Sequence, residues 1–106
     1  MSDYVSVYVT APSFDVAGTI GRALVEDRLV ACVNILPGVQ SIYRWAGNIE
    51  TAVEVVLIAK SRAALFEEIE KRVRKLHPYD CPCVVAWPIE AGHPPSLDWI
   101  ASETAR

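Results

Sequence analysis

The chain has 106 residues, of which 52% are apolar, and its 13 Asp and Glu outnumber its 10 Lys and Arg to give a formal net charge of −3. This length fits one domain spanning residues 1–106, and the acidic balance argues against nucleic acid or an anionic membrane as a partner. No apolar run approaches the roughly 18 residues that span a bilayer, and the N-terminal segment lacks the basic region that begins a signal peptide. We therefore expect a cytoplasmic protein with no membrane contact.

The first predicted elements are a strand and a helix. Residues 4–10, YVSVYVT, place valine at every second position, which is typical of a strand with one buried face. Ser13 then provides an N-cap for a helix that we predict to run to about residue 28. Gly18 and Gly21 each lower the helix propensity of this segment by roughly 1 kcal/mol. We expect close packing of the helix onto a sheet to be the reason for both.

A long hairpin follows the helix. Residues 29–45 predict a strand that bends at Pro37-Gly38, because proline cannot donate a ladder hydrogen bond and glycine permits a bulge. Ala46-Gly47-Asn48 supplies a turn, and residues 49–60 return as the second strand. A strand of about 14 residues spans about 45 Å, whereas a compact domain of this size is about 35 Å across. The hairpin is therefore expected to extend beyond the body of the domain.

The part of the hairpin that extends beyond the domain carries apolar side chains that favour burial against another protein surface. Two isolated strands with such side chains are marginal in water and prone to pair at their edges, so we expect other copies of the chain to cover them. Aromatic residues and arginine are typical of interface hot spots, which favours a subunit contact over ligand stacking at the tip. The predicted interface residues are Tyr43, Arg44 and Trp45 at the tip, with Trp87 and Trp99 as core or interface anchors.

The second half of the sequence predicts a helix, a strand and a terminal helix. Ser61 is the expected N-cap of a helix that runs to about residue 76. Residues 84–89 form a final strand, and Ser96 is the expected N-cap of a short helix that ends near residue 103. The resulting fold class is α/β (α+β), a ferredoxin-like βαββαβ antiparallel sheet with helices on one face, a long hairpin and a C-terminal helix.

The segment HPYDCPC, residues 77–83, concentrates side chains that can bind metal. Thiolates select soft metals such as Cu(I) or Zn(II), and Cys81 and Cys83 point to the same face of an extended backbone. The alternative is a structural turn, in which His77 complements the carbonyls at a helix end and two prolines separate the helix from the next strand. The candidate ligands are His77, Asp80, Cys81 and Cys83, for copper or another divalent metal, and no organic cofactor is expected.

Other titratable residues have plainer explanations. Cys32 lies in a predicted strand and is expected to pack in the core. No serine or cysteine nucleophile has a neighbouring base, so we expect no enzymatic turnover. An acidic cleft between subunits is a further candidate, although a solvated strand face explains its glutamates equally well; its members would be Glu50, Glu54 and Asp80, with Lys60 as counter-charge.

Several stretches of the sequence match one known family. They are TAP (10–12), ACVNILPGVQSIYRWAGNIE (31–50), LIAKS (57–61), LHPYD with Pro82 (76–80 and 82), WPIEAG (87–92) and LDWI (97–100). Over nearly its whole length the chain thus resembles the CutA divalent-cation-tolerance family. The resemblance implies a ferredoxin-like homotrimer in which hairpins extend strand pairing between subunits, similar in architecture to the PII signalling proteins. It also implies a cytoplasmic protein linked to tolerance of copper and other divalent metals.

The candidate site departs from that family in its ligands. Some members place a cysteine just before Thr-Ala-Pro and a second histidine before Pro-Tyr, which gives a proposed copper site, but this chain has Val9 and Leu76 there. Only His77 carries over, and cysteines at 81 and 83 are not general in the family. Three functions stay open: a trimeric metal-responsive binding protein, a PII-like small-molecule sensing or signalling trimer, and a trimeric scaffold without a ligand of its own.

Overall fold

A four-stranded antiparallel sheet and three helices form the part of the protein that the structure describes. A computed structural model describes residues 3–105, and Met1, Ser2 and Arg106 of the predicted 1–106 domain lie outside it. None of the helices in this range is long and apolar enough to cross a membrane. The elements are β1 (Tyr4–Ala11), α1 (Phe14–Glu26), β2 (Cys32–Trp45), β3 (Asn48–Arg62), a 3-10 turn (Ala63–Leu65), α2 (Phe66–Leu76), β4 (Val84–Pro88) and α3 (Pro94–Glu103). The strand order is β2-β3-β1-β4, which is the predicted ferredoxin-like topology.

The core lies between α1, α2 and one face of the sheet. The alternation predicted for β1 is confirmed, because Val5, Val7 and Val9 are 8%, 0% and 0% exposed while the residues between them are only half-buried. The helix residues in the same core cluster include Ala17, Ile20 and Leu24 of α1 and Ile69 and Val73 of α2. The sheet therefore has one helix-covered face, as the sequence predicts.

The cap of α1 and one of its two glycines behave as predicted. The Val16 amide donates to Oγ of Ser13 at 3.2 Å, which caps the helix. A Cβ at Gly21 would lie 3.0 Å from Cγ1 of Val33 in β2, so close packing explains this glycine. At Gly18 a Cβ would meet nothing within 4 Å, and the packing explanation is wrong for that position.

The hairpin bends and overhangs as predicted. The pairing of β2 with β3 is irregular around Gly38, whose φ is +70°. The tip is a two-residue turn in which Ala46 and Gly47 have φ of +51° and +82°, and two positive φ values define the type I′ turn that matches the twist of paired strands. Every residue from 42 to 51 is exposed, and the described residues measure 44 × 25 × 23 Å along their principal axes.

Ser61 lies in a strand rather than at a helix start. The pairing of β3 with β1 continues through Ser61 to Arg62. The Ser61 hydroxyl is buried and donates to the Leu29 carbonyl at 2.5 Å. The prediction that Ser61 caps the second helix is therefore wrong, because the strand ladder and a long-range hydrogen bond engage this residue before α2 begins at Phe66.

Two other predicted boundaries are also wrong. β2 begins at Cys32, because the chain still turns after α1, with the Leu29 amide bonded to the Leu24 carbonyl at 3.0 Å. α3 begins at Pro94 and not after Ser96. Proline has no N–H to leave unpaired in the first turn, and its fixed φ suits the start of a helix.

Candidate functional site

His77 connects the loop that follows α2 to the end of β1 through hydrogen bonds. The side chain is buried, and its Nε2 lies 2.7 Å from the Thr10 carbonyl oxygen. Its Nδ1 accepts a hydrogen bond from the Tyr79 amide at 3.2 Å. A carbonyl only accepts, so the neutral imidazole with its proton on Nε2 satisfies both contacts. Both ring nitrogens of His77 are therefore engaged within the protein.

Tyr79 fastens the same loop to β3. Its hydroxyl donates to Oε2 of Glu54 at 3.3 Å, and its ring centroid lies 4.7 Å from that of His77. Partial burial is the largest cause of a raised pKa of Tyr79, and the charge and hydrogen bond of Glu54 and the nearby Tyr43 raise this pKa further. Tyr79 is therefore a neutral hydrogen-bond donor at physiological pH, and Glu54 is its acceptor.

Two free thiols complete the loop. Cys81 and Cys83 are both exposed. Partial loss of water around the sulfur is nevertheless the largest cause of a raised pKa of Cys83, followed by the charge of Glu54 and then by Cys81. The Glu54 carboxylate and the Cys81 thiol thus each influence the Cys83 thiol.

The chain matches one known protein family over most of its length. The sequence model described as "CutA1 divalent ion tolerance protein" matches residues 5–103 of the chain. The chain belongs to this family.

Relatives from distant organisms align with most of this chain. The divalent-cation tolerance protein CutA of Thermus thermophilus is 48% identical over 98 residues, which are 92% of this chain and 95% of that protein. The Mus musculus protein CutA is 43% identical over 99 residues, and the chain spans only 56% of its length. The solved structure of CutA from Archaeoglobus fulgidus, described as periplasmic, has a TM-score of 0.94 at 41% identity and covers 96% of this chain and 99% of its own.

In this CutA1 family member the predicted ligands do not form a complete multi-ligand site. Within residues 3–105, no three or more His, Cys, Asp or Glu side chains are grouped so that they could hold a metal ion together. Cys81 and Cys83 lie close enough to influence each other, whereas His77 uses both ring nitrogens elsewhere and Asp80 is exposed on the loop. The assignments of all four residues as ligands stay predictions.

Glu54 and Tyr79 are the residues whose roles sequence reasoning missed. Glu54 is only 7% exposed, so the solvated strand face considered for it is wrong. Lys60, the proposed counter-charge, instead donates to Oδ1 of Asn34 at 3.3 Å. The Tyr79–Glu54 contact joins positions 25 residues apart. Its only sequence signal was a carboxylate on a strand otherwise rich in valine.

The predicted interface residues lie on the surface of the chain. Tyr43 and Trp45 are 44% and 59% exposed at the hairpin tip, next to the exposed Arg44. Trp87 and Trp99 are 51% and 45% exposed. The core alternative is therefore wrong for these two tryptophans, and the interface role of all five residues stays a prediction.

Proposed function

We propose that the protein acts in divalent-cation tolerance by binding metal ions at the loop of residues 77–83. The observation that carries this proposal is the double attachment of the loop, through His77 to Thr10 and through Tyr79 to Glu54. A loop tied to two strands presents its thiols at a defined place, and preorganisation of this kind favours binding. Family membership supplies the link to divalent ions.

The proposal assigns the protein to the cytoplasm and to binding rather than turnover. All three cysteines are free, and thiols stay reduced in a cytoplasmic environment. Reduced thiols are the form that releases a proton to bind metal.

The proposal includes a homotrimer in which neighbouring copies cover the hairpin. Support comes from the exposed apolar side chains on a two-stranded ribbon, such as Ile42, Ile49 and Val53, which are 67%, 66% and 74% exposed. A ribbon of this kind is marginal on its own. Light scattering at low micromolar concentration is expected to give three times the mass of one chain, and a monomer would exclude this part of the proposal.

The loop assignment is tested by removing its two thiols together with His77, which positions the loop. The variant His77→Ala/Cys81→Ser/Cys83→Ser is compared with wild type for binding of Cu(I) and Zn(II) in competition with chelators. The matched control, Cys32→Ser/His93→Ala, removes the remaining cysteine and histidine of the chain, which lie outside the loop. We expect the triple variant to lose tight binding and the control to keep it. Equal affinities for wild type and the triple variant would show that the loop is not the site.

A further inference from the structure

Glu54 is a buried carboxylate without a cation beside it. The side chain is 7% exposed, and no lysine or arginine of residues 3–105 lies within ion-pairing distance of it. Buried charges in proteins are normally paired with an opposite charge or bind a cation. The described part of the chain therefore leaves Glu54 without the counter-charge that burial favours.

One oxygen of this carboxylate is open to a partner from outside the chain. Oε2 accepts the Tyr79 hydroxyl at 3.3 Å, whereas no described residue donates to Oε1. Among the described residues, no side-chain nitrogen or oxygen that is fully enclosed lacks a hydrogen-bond partner. Oε1 is therefore not fully enclosed, and a donor can reach it from the surface. The N–H groups of an arginine or a lysine are suitable donors for such an oxygen.

Arg44 is the cation that the exposed ribbon supplies. The other two cations of the hairpin strands are engaged, since Lys60 donates to Asn34 and Arg62 donates to Thr104. Arg44 is exposed, and within residues 3–105 it has no hydrogen-bond or ion-pair partner. Its guanidinium is therefore free to pair with a carboxylate.

The strand register places Arg44 on the apolar face of the ribbon. Arg44 pairs directly with Ile49, and directly paired residues of an antiparallel hairpin share a face. Val53 lies on the same face, because side chains alternate along a strand, and Ile49 and Val53 are 66% and 74% exposed. If a neighbouring copy covers this face, the Arg44 guanidinium loses water and requires an acidic partner, because an unpaired buried charge is costly.

Glu54 of the same chain is in the wrong place to be that partner. It follows Val53 and therefore lies on the opposite face of the ribbon. It is also five residues along β3 from Ile49, a distance of about 16 Å. A pair between these side chains thus requires two copies, with the Arg44 face of one against the Glu54 face of the next. Head-to-tail contacts of this kind form rings when the rotation closes.

We infer that Arg44 of one copy forms an ion pair with Glu54 of the next copy in the proposed homotrimer. This inference rests on the assembly part of the proposed function and names two residues that meet at the subunit contact. Because Glu54 also accepts the Tyr79 hydroxyl, the pair connects the loop of residues 77–83 in one subunit to the hairpin of its neighbour. The order of that loop then depends on assembly.

Cross-linking tests whether the two positions meet. In a chain whose three free cysteines are replaced by serine, Arg44→Cys/Glu54→Cys is treated with a short bismaleimide and separated by denaturing electrophoresis. We expect covalent dimers and trimers. The control is Arg44→Cys/Glu50→Cys, since Glu50 lies on the same face of β3 as Glu54 but nearer the hairpin tip. The control and both single-cysteine variants are expected to give monomers on the gel.

A double-mutant cycle tests whether the two charges interact. Association is measured by analytical ultracentrifugation over a dilution series for wild type, Arg44→Gln, Glu54→Gln and the double variant, with circular dichroism as the check on folding. We expect each single substitution to weaken association about tenfold or more. The double variant is expected to be no weaker than the more affected single variant, and Arg44→Lys is expected to keep most of the affinity.

Several results would overturn the inference. They are independent effects of the two substitutions, absence of cross-linked species from Arg44→Cys/Glu54→Cys, and equal cross-linking in the control. A weaker association in Glu54→Gln alone would show that a different cation binds Glu54. In all these cases a wild-type trimer that binds metal through the loop would leave the proposed function intact. A monomeric wild type would reject both the ion pair and the assembly part of the proposed function.

Discussion

Nε2 of His77 lies 2.7 Å from the carbonyl oxygen of Thr10 and thereby ties the end of α2 to the end of β1. The two residues are 67 positions apart in the sequence. Because Nδ1 of the same ring accepts the Tyr79 amide, one buried imidazole orders both the helix end and the loop that carries the thiols. A positioning role for His77 accounts for both contacts.

Replacing His77 by Ala is expected to destabilise the protein by about 1–3 kcal/mol, the usual cost of leaving buried polar partners unsatisfied. Urea unfolding at fixed protein concentration measures the effect, since oligomer stability depends on concentration. His77→Gln is the matched control, because its amide nitrogen can donate to Thr10 in place of Nε2. We expect Gln to recover part of the loss, and equal losses for Ala and Gln would show that the hydrogen bond to Thr10 contributes little.

Charge at Glu54 is expected to control the reactivity of Cys83. Partial burial is the largest cause of the raised pKa of the Cys83 thiol, and the Glu54 carboxylate raises this pKa further, so removing the charge lowers that pKa and increases the thiolate fraction. The test is the alkylation rate as a function of pH in a chain whose other cysteines are serine. In Glu54→Gln the rate profile is expected to move to lower pH.

Glu50→Gln is the control for this experiment, since Glu50 lies on the same strand but further toward the hairpin tip. Its profile is expected to match that of the parent chain. A profile that is unchanged in Glu54→Gln, or one that moves equally in both variants, would contradict a specific influence of Glu54 on Cys83.

Local sequence patterns predicted most of the fold. Alternating valines, the Ser13 cap, the Pro37-Gly38 bend and a turn after Trp45 depend on neighbours in the chain, and the structure has all four. The turn is one residue shorter than predicted, because Asn48 already pairs with Trp45. Ser61 was misassigned because its strand pairing and its bond to Leu29 involve distant residues. Such contacts leave no periodic signal in the sequence.

The sequence identified the segment that carries the candidate site but not the arrangement of its side chains. The composition of residues 77–83 identified a loop with metal-binding side chains, and their role as ligands stays a prediction. The hydrogen bonds that occupy His77 and the burial of Glu54 follow from how β1, β3 and the loop meet. Only the packed sheet brings these positions together.

The two glycines of α1 give a paired test of helix packing. Gly18→Ala meets no neighbour, so it is expected to stabilise the protein by about 0.5–1 kcal/mol through higher helix propensity and lower entropy of the unfolded chain. Gly21→Ala brings a methyl group to 3.0 Å from Val33, and overpacking of this kind costs about 1–3 kcal/mol. Thermal unfolding of the two variants is expected to shift in opposite directions. A stabilised Gly21→Ala would show that Val33 moves aside at little cost.

A charge on the exposed ribbon tests whether other copies of the chain cover it. Val53 is 74% exposed in one chain, so Val53→Asp is expected to leave the fold of the subunit intact, as judged by circular dichroism. If a neighbouring subunit covers this position, the aspartate must lose its water at the interface, and a buried unpaired charge costs several kcal/mol. Each 1.4 kcal/mol weakens association tenfold. Light scattering at low micromolar concentration is then expected to detect monomers. Val25→Asp makes the same chemical change at an exposed position on α1, away from the hairpin, and is expected to keep the assembly of wild type. Retention of the full assembly by Val53→Asp would mean that this part of the ribbon faces water in the oligomer and that the subunits associate through another surface.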